Sequence, residues 1–451
     1  MAQGRSMDLT EGSVLKKLIA FTIPILLGNL LQQLYTVADR VVVGQFAADG
    51  AAALAAIGST SSAINLVIGL FIGIATGNNV ICANLLGARK TDDLRKSMHT
   101  SLLVGIYCGV GLLVFGTLSV PAILRSMDTP GSVFEQACLY MRLYFIGAPA
   151  SLIYNINSGI LRAHGDTKRP MYILMLSGLL NVILNLVLVL GFHMDVAGVA
   201  IATAASHYLC AIWTTGILFH KEGIYRLRLQ ELKVSKKQLL EVIRIGVPSG
   251  LGSMVFSASN VLLQSSVNSF GDAAIIAGKT IAMDINTMIY QVENALLAAC
   301  VSFSGQCYGA GKHKRIDKLS RTALLLCLAG MAAFVIPCVL FSSRVVSIFN
   351  QDPQVIYYAS RLQIIMNAGV LLYAPSEIFM GCSRGMKHAL APTLLNIIAI
   401  CGTRLIWIYL LFPHFHVAEF LYLCYPVSWG VSSIMQFIYY TRIRKKHTTV
   451  Q

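Results

Sequence analysis

Apolar runs of about twenty residues follow one another from end to end of this chain, and no hydrophilic stretch between them is long enough for a soluble domain. In lipid such a run must satisfy its own backbone, so each is expected to be a helix. Twelve spans are expected, at approximately 18–43, 52–82, 99–124, 136–160, 170–192, 196–219, 240–268, 276–306, 320–345, 356–383, 390–412 and 417–441. The first is too long for a removable signal peptide and lacks a small-residue cleavage site. Only 12% of residues are charged, where soluble domains carry about a quarter. The fold class is therefore an all-α integral membrane protein.

The net charge of +15 is a statement about topology. With both termini cytoplasmic, 28 of the 35 Lys and Arg residues fall at inner ends or inner loops, against Arg125, Lys279 and Arg344 at outer ends. This positive-inside bias fixes the expected orientation, a multi-pass protein of the cell inner (plasma) membrane, and removes nucleic acid as a partner. The eleven cysteines show no C-x-x-C spacing and the ten histidines no H-x-x-x-H pair, so neither a disulfide framework nor a metal site is expected.

The chain repeats itself. IRIGVPSGLG from Ile243 answers IAFTIPILLG, setting Pro248 on Pro24, and QCYGAGK answers NLLGARK, setting Gly309 on Gly87. Arg361 falls on Arg142, APSEIFMGCSRG answers APASLIYNINSG, and Pro392 falls on Pro170. Five matches in the same order, each offset by roughly 220 residues, define two six-helix lobes, 1–220 and 240–451, joined by a charged linker at 221–239. Six spans return the chain to its starting side, so the lobes share one orientation and are expected to flank a central cleft, the architecture of a secondary transporter.

The stretch from Leu18 to Gly44 carries one proline, Pro24, and one acid, Asp39, in its outer half. A carboxylate there is costly unless it faces protein or water. Stepping back from Asp39 along a helix meets Tyr35, Gln32 and Gly28, a polar stripe expected to line a cavity. The neighbouring Arg40 lies about 100° around the helix, which favours a functional Asp39 over a structural pair. Pro24 reads equally as a hinge or a static kink. Asn181 and Asn185, at i and i+4, share a face of span five, and Thr203 lies within span six; two amides on one face mark a site or a helix–helix bond. The second lobe has no acid at the place of Asp39, where Leu263 falls. Gln32, Tyr35, Asn155 and Asn157 are the expected substrate contacts. Glu293 in span eight and Arg404 in span eleven are expected to pair; the alternative is that Glu293 faces the cleft and attracts cationic substrates. Gly69, Gly73 and Gly77, four apart, are expected to admit a second helix closely, and Asn78 and Asn79 serve either cavity or packing.

IPILLGNLLQQLYTVADRVVVG, NLLGARK, GILRAHGDTKRPM followed by NVILN, and VAGVAIAT together resemble the multidrug and toxic compound extrusion (MATE) family of antiporters over nearly the whole chain. The resemblance implies two six-helix lobes and export of organic, often cationic, compounds in exchange for H⁺ or Na⁺, with no other cofactor. It sets the family's ion-linked acid on Asp39, its helix-bending proline on Pro24, and polar partners on Asn181 and Thr203. Some branches carry a second acid where this chain has Asn185, and a neutral amide adds no charge to a Na⁺ site, which favours a proton.

Antiport by alternating access, with small organic cations as substrates, a single chain as the unit and membrane lipid as surroundings, is the expected function. A lipid-linked oligosaccharide flippase of the same superfamily is the alternative, and it would need several basic residues in the cleft. No cluster of catalytic type appears, so an enzyme is not expected. No G-x-x-x-x-G-K-[ST] motif is present to bind ATP.

Overall fold

The computed structural model describes residues 7–47, 49–127, 129–220, 226–415 and 417–448; the first part of the linker, 221–225, lies outside them. Twelve helical passes follow in order. The first six are α1 (Val14–Phe46), α2 (Gly50–Gly87), α3 (Thr91–Ser126), α4 (Gly131–Ala163), α5 (Lys168–Gly191) and α6 (Asp195–His220). The second six are α7 (Lys236–Asn268), α8 (Ala273–Gly309), α9 (His313–Leu340), α10 (Pro353–Val370 with Ala374–Gly385), α11 (Leu390–His414) and α12 (Cys424–Thr448). Among the described residues nine are long and apolar enough to cross a membrane, and α10, bent by 43° ahead of Pro375, makes a tenth. The other two are more polar because they are packed by protein: α8 buries Lys279, Gln291 and Glu293, and α12 buries Ser428, Ser432 and Gln436. The protein is an all-α membrane protein of two six-helix lobes.

The internal repeat is written in the backbone. Helices end at Gly87 and Gly309, and at Ala163 and Gly385. Each pair is followed at a constant offset by a left-handed residue: Arg89 (φ 56°) and Gly311 (φ 71°), then Gly165 (φ 81°) and Lys387 (φ 67°). The entry to α2 is capped by Asp49, which accepts from the Ala52 amide, and the entry to α8 by Asp272, which accepts from the Ala274 amide.

By internal contacts the chain forms two units, which differ from a division at the linker by the first turns of two helices. Leu9–Thr22 groups with the second unit, and 236–251 with the first. Both helices carry a proline near the point of exchange, Pro24 in α1 and Pro248 in α7.

In the first unit the α2 glycines meet α7. A Cβ on Gly73 would lie 2.3 Å from the Gly250 nitrogen, and one on Gly77 2.6 Å from the Val242 carbonyl. Two backbones are thus in van der Waals contact, as small residues permit in a membrane. Asn78 is consumed in packing: its amide donates to the Ile156 carbonyl (3.3 Å) and its oxygen accepts from Ser101 (2.6 Å), tying α2 to α4 and α3. The described part of the linker straps α3, with the Ser235 amide donating to Thr100 Oγ1 and the Arg228 amide to His99 Nε2. In the second unit the segment before α1 is pinned by Arg315, which donates to the carbonyls of Leu9, Glu11 and Gly12.

Candidate functional site

The stripe on α1 faces α5. Gly28 lies against Leu174 and Met171, the Tyr35 hydroxyl donates to the Met175 carbonyl (3.0 Å), and Asp39 meets Asn185. The fit at Tyr35 depends on Gly178, where any Cβ would fall 1.7 Å from the tyrosine ring. Gln32, on the same stripe, is exposed.

Around Asp39 the polar residues expected from the sequence form one connected chain. Asn185 Nδ2 donates to Asp39 Oδ1 and to Asn181 Oδ1 (3.3 Å), and Asn181 Nδ2 donates to Thr203 Oγ1 (3.5 Å). The chain runs from α1 through two turns of α5 to α6. Asn185 is fully buried and its own carbonyl oxygen has no partner. Among the described residues the only hydrogen bond to Asp39 comes from Asn185, and no ion pair joins it to Arg40. On the side toward Phe46 the site is closed by Val42, Val43, Ile57, Val189, Val196 and Val199. An intramembrane carboxylate is thus held by a neutral amide, beside an acceptor that lacks a donor. What such a group lacks is a proton or a small cation.

The remaining sequence-derived contacts divide. Asn155 donates to the Ser151 carbonyl (2.8 Å) and borders a hollow of about 20 Å³ with Ile68 and Ile72, room for about one water. Asn157 is fully buried between α4 and α6 and donates to Thr215 Oγ1 (2.8 Å) and Thr214 Oγ1 (3.4 Å). Its place among the substrate contacts is therefore corrected: it bonds two helices. The i, i+2 spacing sets the two amides about 200° apart, on opposite faces of α4, so one of them at most faces a given cavity, and the rotation of the helix about its axis decides which.

The expected Glu293–Arg404 pair is also corrected. Arg404 is 1% exposed and is held by the Asn260 oxygen (2.9 Å), Ser259 Oγ (3.4 Å) and the rings of Tyr425 (4.6 Å) and Phe256 (5.4 Å). Glu293, also 1% exposed, faces a separate cavity of about 380 Å³ within the second unit, and among the described residues neither of its oxygens has a partner. Glu377 and Arg384 of α10 line the same cavity. The sequence reading missed both as site residues, although their i, i+7 spacing puts them on one helix face.

The MatE family model matches residues 24–187 and 248–410, once in each lobe. The probable multidrug resistance protein YoeA of Bacillus subtilis (strain 168) is 28% identical over 97% of this chain and 96% of its own. The probable multidrug resistance protein NorM of Thermotoga maritima is 26% identical over 86% of this chain and 84% of its own. A crystal structure of a MATE in complex with MaL6 superposes with a TM-score of 0.91 over 100% of both chains at 22% identity, a likeness of fold. Matched in both lobes by one family pattern, and folded as the repeat requires, this chain belongs to the MatE family.

Proposed function

We propose that the protein is a secondary active transporter that exports organic, cationic compounds in exchange for H⁺ or Na⁺ by alternating access. The observation that carries this reading is Asp39, an intramembrane carboxylate whose one hydrogen bond among the described residues comes from a neutral amide with a carbonyl unsatisfied among them. Ion uptake at Asp39 changes the charge of the chain Asp39–Asn185–Asn181–Thr203, and so the contact between α1 and α5. That is the differential interaction that coupling needs. A single carboxylate with amide and hydroxyl neighbours favours a proton over Na⁺.

Pro24 supplies the flexible point of α1. Lacking an N–H, it leaves the Ala20 carbonyl without its helical donor, so bending there breaks fewer hydrogen bonds than elsewhere. Gln32 and Tyr35 on the stripe and Glu293 in the second unit are the substrate contacts of this reading, and the hollow at Asn155, with room for about one water, takes water instead. The multidrug resistance functions named for the relatives favour small organic compounds over lipid-linked oligosaccharides. The protein acts as a single chain in the cell inner membrane, with both termini cytoplasmic.

The test is uptake of a fluorescent cationic dye into inverted vesicles, with a pH or a Na⁺ gradient imposed separately. Wild type accumulates dye under one gradient, and Asp39→Asn, expressed at the same level, does not. Undiminished uptake by Asp39→Asn overturns the assignment.

A further inference from the structure

We propose that the cavity of the second unit binds a dipolar organic molecule, with an ammonium group on Glu293 and an anionic oxyacid group on Arg384. The cavity, about 380 Å³, is of the size that encloses a small-molecule ligand. Its polar groups are separated by sign. Glu293 of α8 and Glu377 of α10 are both buried, and Arg384 lies two helical turns beyond Glu377, about 10 Å along the axis.

Glu377 and Arg384 attract one another across the chamber without closing an ion pair, and Glu293 has only the like charge of Glu377 beside it. Among the described residues no ion pair joins Arg384 to either glutamate. Both oxygens of Glu293 are without a donor, and Arg384, 9% exposed, spends Nη2 on Thr393 Oγ1 (3.4 Å) and leaves Nε without an acceptor. Two opposite charges, each buried and incompletely satisfied in one chamber, form an unfavourable arrangement unless a third body bridges them. A proton on Glu293 leaves Arg384 as it is, and a simple organic cation gains the glutamates but meets the guanidinium. A molecule with opposite charges at its two ends satisfies both. One turn from the glutamates the Tyr290 and Tyr373 rings, edge to face at 6.2 Å, form a rigid aromatic part of the same cavity's wall.

The proposal refines the reading of Glu293 as a substrate contact and rests on the export mechanism for nothing else. It is read as binding to purified protein without any gradient, so its failure and that of the Asp39 assignment are separable. The probe is 4′-(aminomethyl)biphenyl-4-carboxylate, with its methyl ester (cation only) and its N-acetyl derivative (anion only), titrated calorimetrically against detergent-solubilised full-length protein. The dipolar probe is expected to bind at least about tenfold more tightly than either blocked form, the scale of one charge-assisted hydrogen bond. Glu293→Gln is expected to weaken the dipolar probe about tenfold and leave the N-acetyl form unchanged. Arg384→Gln is expected to weaken it about tenfold and leave the methyl ester unchanged, and Arg384→Lys to restore part of the loss in a variant with the charge retained. Equal binding of the ester and the dipolar probe overturns the proposal in favour of a plain cation site. Absence of binding by the dipolar probe to wild type, or binding indifferent to both substitutions in variants that melt like wild type, overturns it altogether.

Discussion

Gly178→Ala tests whether the α1–α5 contact that presents Asp39 is built as described. A Cβ at this position would lie 1.7, 2.1 and 2.2 Å from Cε2, Cδ2 and Cζ of Tyr35, where ordinary contact begins near 3.4 Å. The ring or its helix must therefore retreat by about 1.7 Å. Overpacking a tight contact costs about 1–3 kcal/mol. Losing the Tyr35 hydrogen bond to the Met175 carbonyl adds about 1 kcal/mol, for a total of about 2–4 kcal/mol. By the scaling of globular proteins, in a lobe of about 220 residues this lowers the melting temperature by roughly 5–10 °C. The measurement is thermal unfolding of the detergent-purified protein for wild type, each single variant and the double variant with Tyr35→Ala. Once the ring is removed the added methyl has space, and Gly178→Ala should then be neutral, or stabilising by about 0.5–1 kcal/mol through helix propensity. Melting of Gly178→Ala within 1 °C of wild type, or no rescue by Tyr35→Ala, would refute the packing and with it the geometry offered for Asp39.

Three further outcomes follow from the same contacts. Gly73→Ala sets a methyl 2.3 Å from a backbone nitrogen that no rotamer change can move, so it should lower the melting temperature, whereas Gly58→Ala on the same helix, with nothing within 4 Å, should not. Asn157→Ala should cost about 1–3 kcal/mol by orphaning the Thr214 and Thr215 contacts, yet leave the dye-transport KM of the folded fraction unchanged; a raised KM would return it to the substrate contacts. Pro24→Ala should raise thermal stability and slow gradient-driven dye uptake, and uptake at the wild-type rate would make the proline a static kink.

Twelve helices in two like lobes were legible in the sequence, because a bilayer admits few structures and a repeated chain repeats its turns. Of the left-handed residues, Arg89 and Gly311 fall where the NLLGARK and QCYGAGK match placed them, and Gly165 and Lys387 keep the spacing of the matched Pro170 and Pro392. Asp39, and the shared face of Asn181 and Asn185, were also legible, because the cost of a charge in lipid and i, i+4 spacing operate within one helix; Asn181 and Thr203 as partners of Asp39 came only with the family resemblance. Partnership across sequence-distant helices was not. Whether Asn157 faces a cavity or Thr215, whether Arg404 meets Glu293 or Asn260, and whether Glu377 and Arg384 share a chamber depend on how helices are rotated about their axes. Rotation is set by close packing at positions such as Gly73 and Gly178, where the absence of one methyl group decides which faces meet. Hydrophobicity along the chain fixes how many helices there are and which stripes are polar; only the packed tertiary structure decides which stripes face one another, and that is what makes a polar residue a site or a bolt.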